Sequence, residues 1–293
     1  MCKILITGAG GILGSSVVNV LPEEKYDIYI LSSKKEFIFT KFAGRNNIHF
    51  LETFDFGNEA DFLKDIDIIL HCAFARLQDG AALAQSIDFS EKVFKLAVQY
   101  RIPKVINISS QSIYGAYRDI VSTEDDKINP LDSYAIAKYA CERLADNISK
   151  NTQTQITSVR LASLIGPQFK ERLINKMIIN AKNNGIIKVV GGKQIFSFLD
   201  IRDAVDGIVS IIKAHDKKWK NVYNLGTAEQ YSIMQIAEEI TSVIPNTKIE
   251  LEEQNINTQI RLDCSRFTVD FNWHAKYKLL DSIKNIIENI QND

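Results

Sequence analysis

Cysteine is scarce in this chain and scattered. Cys2, Cys72, Cys141 and Cys264 form no Cys-x-x-C pair, which excludes the usual patterns of a disulfide scaffold or a zinc site. They are expected to be thiols in a reducing cytoplasm, and no metal is expected. An excess of charge of one sign is missing too. Thirty-five Lys and Arg against 36 Asp and Glu leave a net charge of -1, so neither nucleic acid nor an anionic membrane is an expected partner. No stretch reaches the eighteen or so apolar residues of a membrane span. The opening MCKILITGAG enters an apolar run at once, without a charged leader or a cleavage site, so no export signal is expected. Repeats and low-complexity tracts are absent.

What is present is ordinary soluble-protein composition, 45% hydrophobic and 24% charged over 293 residues, enough for one or two domains. The first 165 residues alternate two patterns. KILIT (3–7), YDIYIL (26–31), NIHFLE (47–52), IDIILHCA (66–73), KVINIS (104–109) and ITSVRLA (156–162) are short, Ile- and Val-rich strand candidates. Helical stretches lie between them, at 15–21, 86–99 and 133–150. Mainly apolar strands alternating with helices predict an α/β fold, a doubly wound parallel Rossmann-type sheet that binds ligands at the carboxyl ends of its strands. After Pro167 the rhythm changes to a helix at 172–185 closed by Gly185, short strands at 186–190 and 195–199, and helices near 203–214, 232–243 and 279–291. The expected division is a Rossmann domain over 1–166 and a smaller substrate lobe over 167–293. Segments such as 196–226 are expected to return to the first domain.

Residues 7–14 read TGAGGILG, directly after the first strand and directly before a helix. The dinucleotide pattern G-x-G-x-x-G fails, because Leu13 stands where its last glycine belongs. The spacing G-x-x-G-x-x-G fits, with Gly8, Gly11 and Gly14. Either spacing answers the same demand: a tight turn and a backbone close to a pyrophosphate, with helix N–H groups pointing at it. Ile12 and Leu13 open that helix and belong to the same cofactor loop. The second strand runs into Ser32, Ser33, Lys34 and Lys35 where an acidic residue would bind the ribose hydroxyls of NAD. Hydroxyls and lysines suit a 2′-phosphate, so NADP is favoured over NAD. Asp55 and Phe56, after the third strand, are placed to meet the adenine.

SYAIAK (133–138) sets a tyrosine four places before a lysine. With 10 Tyr in the chain and lysine frequent, about one Tyr-x-x-x-Lys is expected by chance, and a second copy exists at Tyr100 and Lys104. Pro103 separates that second pair and ends the helix before Lys104. Tyr134 and Lys138 instead lie on a proline-free helix and share one face. The lysine cation then favours the phenolate and draws its pKa down from about 10. Ser109, Ser110, Gln111 and Ser112 end the preceding strand and bring hydroxyls to the same sheet edge.

Taken in order, TGAGGILG, HCAF (71–74), ISSQSIYG (108–115), Tyr134-x-x-x-Lys138, VRLASLIGP (159–167), FSFLDIRDAVDGI (196–208) and the stretch LDCSRF to FNWHAKYKLLDSI (262–283) resemble an extended short-chain dehydrogenase/reductase, specifically the NAD-dependent epimerase/dehydratase branch. The resemblance covers nearly the whole chain. It implies that Ser110 is the catalytic hydroxyl, Tyr134 the general acid/base, and Lys138 the group that binds the nicotinamide ribose and tunes Tyr134. Cys72, Ala73 and Ser109 join the cofactor-binding set. Ser112, Ser163, Phe196 and Arg261 are the substrate-binding candidates, and the resemblance leads to a homodimer built on the helices at 86–99 and 133–150. Arg160 and His71 are read as structural.

The chain also departs from the branch. Its sugar dehydratases resemble one another in an Asp-Glu pair that here is Gln111-Ser112, which argues against dehydration. Its GDP-sugar epimerase-reductases carry a cysteine where Ser112 stands, which argues against a double epimerisation. An asparagine usual before the Gly-Pro pair is Ser163, and an arginine that often clamps the diphosphate is Phe196; Arg202, Arg261 and Arg266 are candidate substitutes. The resulting expectation is NAD(P)-dependent hydride transfer at a hydroxyl or keto carbon of a nucleotide sugar, by an epimerase or a 4-keto reductase. The alternatives are a reductase of a non-nucleotide carbonyl compound and a non-catalytic NADP-binding sensor.

Overall fold

The computed structural model describes residues 1–52, 62–76, 79–116 and 120–290. Its elements begin β1 (Cys2–Thr7), α1 (Ile12–Val20), β2 (Tyr26–Leu31), α2 (Lys35–Lys41), β3 (Ile48–Leu51), β4 (Ile68–His71), α3 (Gly80–Gln99), β5 (Lys104–Ser110), α4 (Ser133–Ser149) and β6 (Gln155–Leu161). They continue with β7 (Ser163–Ile165), α5 (Leu173–Asn184), β8 (Ile186–Val190), β9 (Ile195–Phe196), β10 (Phe198–Asp200), α6 (Ile201–Lys213) and β11 (Val222–Leu225). The chain ends in β12 (Tyr231–Ser232), α7 (Ile233–Val243), β13 (Lys248–Glu252), β14 (Gln259–Ile260), α8 (Ser265–Phe271) and α9 (Leu279–Asn289).

Seven strands make one sheet in the order β11-β6-β5-β4-β1-β2-β3, a Rossmann-type α/β sheet as the alternation of patterns predicts. The pairings of β1 with β2 and β4, of β2 with β3, and of β4 with β5 are all parallel. Parallel strands need crossovers, and crossover helices cover both faces; hence Ile4, Leu5, Ile6, Ile28, Ile30, Ile69 and Val105 are all buried. Each such side chain contributes roughly 1.5–3 kcal/mol of burial. Leu5, Ile69 and Val105 pack with Val93, Phe94 and Ala97 of α3 and Ala145 of α4 in a single cluster. The strand order reverses at β1, so the carboxyl ends of β1 and β4 flank the crevice where such sheets bind ligands.

The chain forms two compact units. The first is Met1–Ile113, Asn129–Arg160 and Val205–Tyr223; the second is Tyr114–Ile128, Leu161–Ala204 and Asn224–Asp293. The second unit has its own core, with Ile174, Met177 and Ile178 of α5, Ile236 and Ile240 of α7, and Ile283 and Ile286 of α9. Gly185 caps α5 in the left-handed conformation, φ 64°, as the sequence predicts. IFSFL, expected as one strand, is two. β9 pairs with β12 and β14, whereas β10 pairs with β7, so the chain changes sheet at the buried Ser197. Among the described residues no helix is long and apolar enough to cross a membrane.

Candidate active site

Three loops of the first unit meet the carboxyl edge of the sheet. The glycine loop follows β1. Gly8 has φ 72°, and a Cβ there would come within 2.6 Å of the Ala73 backbone nitrogen; a Cβ on Gly14 would meet the Gly8 carbonyl oxygen at 2.4 Å. These two positions admit no side chain, so the β1 and β4 loops lie against each other and the start of α1 is pulled close. Gly11 is the N-cap of α1 and supplies no side-chain cap, which leaves the first N–H groups of Ile12 and Leu13 to a ligand. This cradle fits the pyrophosphate of a dinucleotide.

Past β2 the chain turns directly into α2 rather than into a loop. The Lys34 N–H donates to Ser32 Oγ at 3.1 Å, and Ser33, Lys34 and Lys35 are exposed. Lys41, at the end of α2, donates from Nζ to the Gly10 carbonyl at 3.1 Å, tying α2 to the glycine loop. Asp55 and Phe56 lie outside the described residues.

The β4 loop carries Cys72 and Ala73. At its root, His71 is buried between Thr7 Oγ1, 2.7 Å from Nδ1, and Ser90 Oγ, 2.9 Å from Nε2. Burial, helped by the Lys138 charge, pulls the imidazole down to about 3, so it is neutral and serves to lock β1, β4 and α3 together. Burial pushes the Cys72 thiol up to about 12.

The third loop ends β5. Ser112 Oγ–H donates to Ser110 Oγ at 2.9 Å, and the Ser112 N–H reaches the same oxygen at 3.2 Å. Ser110 Oγ thus accepts two hydrogen bonds from Ser112. The hydroxyl of Ser109 turns inward instead, donating to Glu142 at 2.5 Å.

Helix α4 starts cleanly because Asp132 caps it, its side chain accepting from the Ala135 N–H at 2.7 Å. One turn apart on it stand Tyr134 and Lys138. Lys138 is 5% exposed, and its Nζ donates to the Ile108 carbonyl of β5 at 2.7 Å. Burial lowers this ammonium to about 8, against the opposing pull of Cys141, Cys72 and Glu142. One turn further, Glu142 forms a buried pair with Arg160 of β6, with Nη2 to Oε2 at 2.7 Å and Nε to Oε1 at 3.1 Å. The other Tyr-x-x-x-Lys is taken apart by the fold. Tyr100 caps the end of α3, whereas Lys104 opens β5 and donates to Gln155 Oε1 and the Lys217 carbonyl.

The first unit therefore brings together the glycine loop, Cys72, Ala73, Ser109, Ser110, Ser112, Tyr134 and Lys138. Ser163, Phe196 and Arg261 fall in the second unit. There Ser163 pairs in register with Phe198, the Phe196 and Phe198 rings lie 6.0 Å apart, and Ile260, next to Arg261, pairs with Phe196. Two residues that sequence reasoning did not place at the site stand in it. Glu142 underpins Ser109, and Phe74 lies with its ring centroid 3.7 Å from Lys138 Nζ. The only signals were the spacing of Glu142 four residues after Lys138 and an aromatic directly after Cys72-Ala73.

The model of the NAD-dependent epimerase/dehydratase family matches residues 4–226. The dTDP-D-glucose 4,6-dehydratase of Bos taurus is 25% identical over 272 residues, covering 86% of this chain and 76% of that protein. Among solved structures, the UDP-glucuronic acid 4-epimerase of Bacillus cereus, in complex with UDP-glucuronic acid and NAD, superposes with a TM-score of 0.80 at 22% identity, over 98% of both chains. The dTDP-glucose 4,6-dehydratase of Bacillus anthracis, in complex with NAD, gives 0.82 at 20% identity, over 98% of this chain and 96% of that one.

Proposed function

The chain belongs to the NAD-dependent epimerase/dehydratase family, and from that premise we propose that it moves hydride at a hydroxyl or keto carbon of a nucleotide-linked sugar, as an epimerase or a 4-keto reductase. The observation that carries this reading is Tyr134 and Lys138 on one face of α4, with Lys138 anchored to β5 at Ile108 and the Ser110–Ser112 hydroxyl pair closing the same strand. The nicotinamide, when bound, supplies or accepts the hydride. The chain does the rest. Gly8, Gly11, Ile12, Leu13 and Gly14 hold the pyrophosphate, with Cys72 and Ala73 beside them. Lys138 keeps a positive charge beside Tyr134 and takes the ribose. Tyr134 Oη takes the proton from the sugar hydroxyl or returns it to the carbonyl oxygen. Ser110 donates a hydrogen bond from its hydroxyl to that oxygen, and Ser112, which donates to Ser110 Oγ, holds it in place.

Dehydration is set aside on the chain's own residues, although relatives bear that name. Removing water needs an extra acid and base beside the hydroxyl, and Gln111 and Ser112 supply neither. The preferred cofactor is NADP, for which Ser32, Ser33 and Lys34 stand past β2 without a carboxylate among them. The second unit is the proposed substrate side, with Ser163, Phe196 and Arg261. The same reading gives a cytoplasmic homodimer on α3 and α4, where Ile136 is 56% exposed.

Two measurements test this. Purified protein is assayed for retained cofactor and for NADPH consumption with 4-keto nucleotide sugars: tightly held dinucleotide with interconversion of epimers marks the epimerase, stoichiometric oxidation of NADPH the reductase. Tyr134→Phe is expected to abolish turnover while dinucleotide binding persists. Undiminished turnover would remove Tyr134 as the acid/base. Wild-type protein that binds dinucleotide yet turns over no nucleotide sugar and no simple carbonyl compound would favour the sensor.

A further inference from the structure

Lys138 is a buried cation short of acceptors. An ammonium has three N–H donors, and among the described residues only one of them meets a protein oxygen, the Ile108 carbonyl. The groups around it are otherwise engaged or uncharged. From α4, Glu142 is held by Arg160 of β6 and by Ser109 of β5, and Cys141 is a thiol that burial keeps protonated. From β4 and its loop, His71 is neutral between Thr7 and Ser90, and Cys72 is protonated. What faces the ammonium is a ring. Lys138 Nζ lies 3.7 Å from the centroid of Phe74, much nearer than the 5.9 Å to the ring of Tyr134. The two rings meet edge to face, with centroids 5.9 Å apart and an interplanar angle of 84°.

We propose that Phe74 is a positioning residue of this site: the face of its ring stands in for a second acceptor of the Lys138 ammonium, and its contact with Tyr134 holds the phenol in place beside it. The inference rests on the reading of Tyr134 and Lys138 given above and adds a member to it. The ring's negative face attracts a cation within about 6 Å, and the attraction strengthens when water is excluded. Edge-to-face packing is the favoured arrangement of two aromatic rings at this separation. With a carbonyl of β5 on one side and a ring from the β4 loop on another, one N–H direction of Lys138 is left for a ligand hydroxyl. A ring makes this arrangement possible because it takes up a donor without bringing a negative charge that would compete for the proton of Tyr134.

The test uses the full chain without cofactor. The Lys138 side chain is titrated by NMR in protein labelled at lysine with 15N and 13C, its resonance assigned by its loss in Lys138→Arg. Phe74→Leu keeps the apolar volume and removes the ring face; Phe74→Tyr keeps the ring. Phe74→Leu is expected to lower the Lys138 midpoint by roughly 0.5–1.5 pH units, with Phe74→Tyr within about 0.2 of wild type. In turnover, Phe74→Leu should lose about 3- to 30-fold in kcat, with KM for the sugar little changed, its alkaline limb moving with the midpoint and Phe74→Tyr restoring both. If Phe74→Leu fails to fold by thermal melting, Phe74→Met replaces it with the same expectation. A wild-type midpoint in the ringless variant, or an equal displacement in Phe74→Leu and Phe74→Tyr, overturns the proposal. The titration needs no substrate, so its outcome is separate from the fate of the hydride-transfer reading, which Tyr134→Phe decides.

Discussion

Glu142→Gln is a sharp perturbation at a residue outside the proposed catalytic set of Ser110, Tyr134 and Lys138. Glu142 and Arg160 are each 4% exposed, and the carboxylate accepts from Arg160 Nε, Arg160 Nη2 and Ser109 Oγ. The amide keeps the shape and removes the buried negative charge to which Arg160 Nε and Nη2 donate. Breaking one side of such a pair costs about 3–5 kcal/mol, a large share of a total stability of roughly 5–15 kcal/mol. For a chain of this size that is an expected fall in melting midpoint of roughly 6–20 °C. Arg160→Met should cost a similar amount for the opposite reason. The double variant Glu142→Gln/Arg160→Met removes both charges and leaves an amide oxygen for the Ser109 hydroxyl, at an expected cost of about 1–3 kcal/mol. The cycle should therefore show a coupling of at least about 2 kcal/mol, with the double variant more stable than either single one. Calorimetry on the four proteins measures it. A Glu142→Gln midpoint within about 1 °C of wild type, or a double variant whose loss equals the sum of the single losses, would refute the argument that this pair is a buried, mutually neutralising unit.

The remaining expectations concern the loop and two titrating groups. Gly8→Ala places a methyl group 2.6 Å from the Ala73 nitrogen at φ 72° and is expected to lower stability by more than about 1 kcal/mol. Dinucleotide affinity should fall with it, read by isothermal calorimetry. The Lys138 ammonium is lowered to about 8, so kcat/KM should decline above about pH 8 as the cation beside Tyr134 is lost, and Lys138→Met should lack that limb while retaining little activity. His71 stands at about 3 when folded and near 6.5 unfolded, so the unfolded chain binds the extra proton between the two. Stability should fall as pH drops through that window, and urea midpoints of His71→Gln should fall less steeply there.

The parallel sheet, the glycine loop and the Tyr134–Lys138 face were legible in the residues because each depends on local spacing. Apolar runs of strand length, glycines where no Cβ fits and a four-residue interval on an uninterrupted helix are properties of neighbouring positions. Residue order also separates the two Tyr-x-x-x-Lys copies, through Pro103, and the fold agrees by setting Lys104 against Gln155 and Lys217. The burial of Trp219 was not legible: it stands among lysines in KAHDKKWK (213–220), yet Trp219 is 2% exposed and Lys104 Nζ lies 4.7 Å from the centroid of its ring. The division of IFSFL between two sheets was also missed, because pairing partners far along the chain decide it.

By itself the sequence determined the alternation of strands and helices that builds the parallel sheet, where the glycine loop lies, and that a phenol and an amine share one helical face. Only the tertiary structure decided what surrounds them. It turned Ser109 inward to Glu142, set Ser112 behind Ser110, and laid Phe74 over an ammonium whose one carbonyl acceptor among the described residues is Ile108. The reason is physical. A repeat of 3.6 or 2 residues is written along the chain, but the desolvation of a buried charge depends on atoms brought in from β4, β5 and β6, dozens of residues away, and no local pattern encodes which of them arrives as its partner.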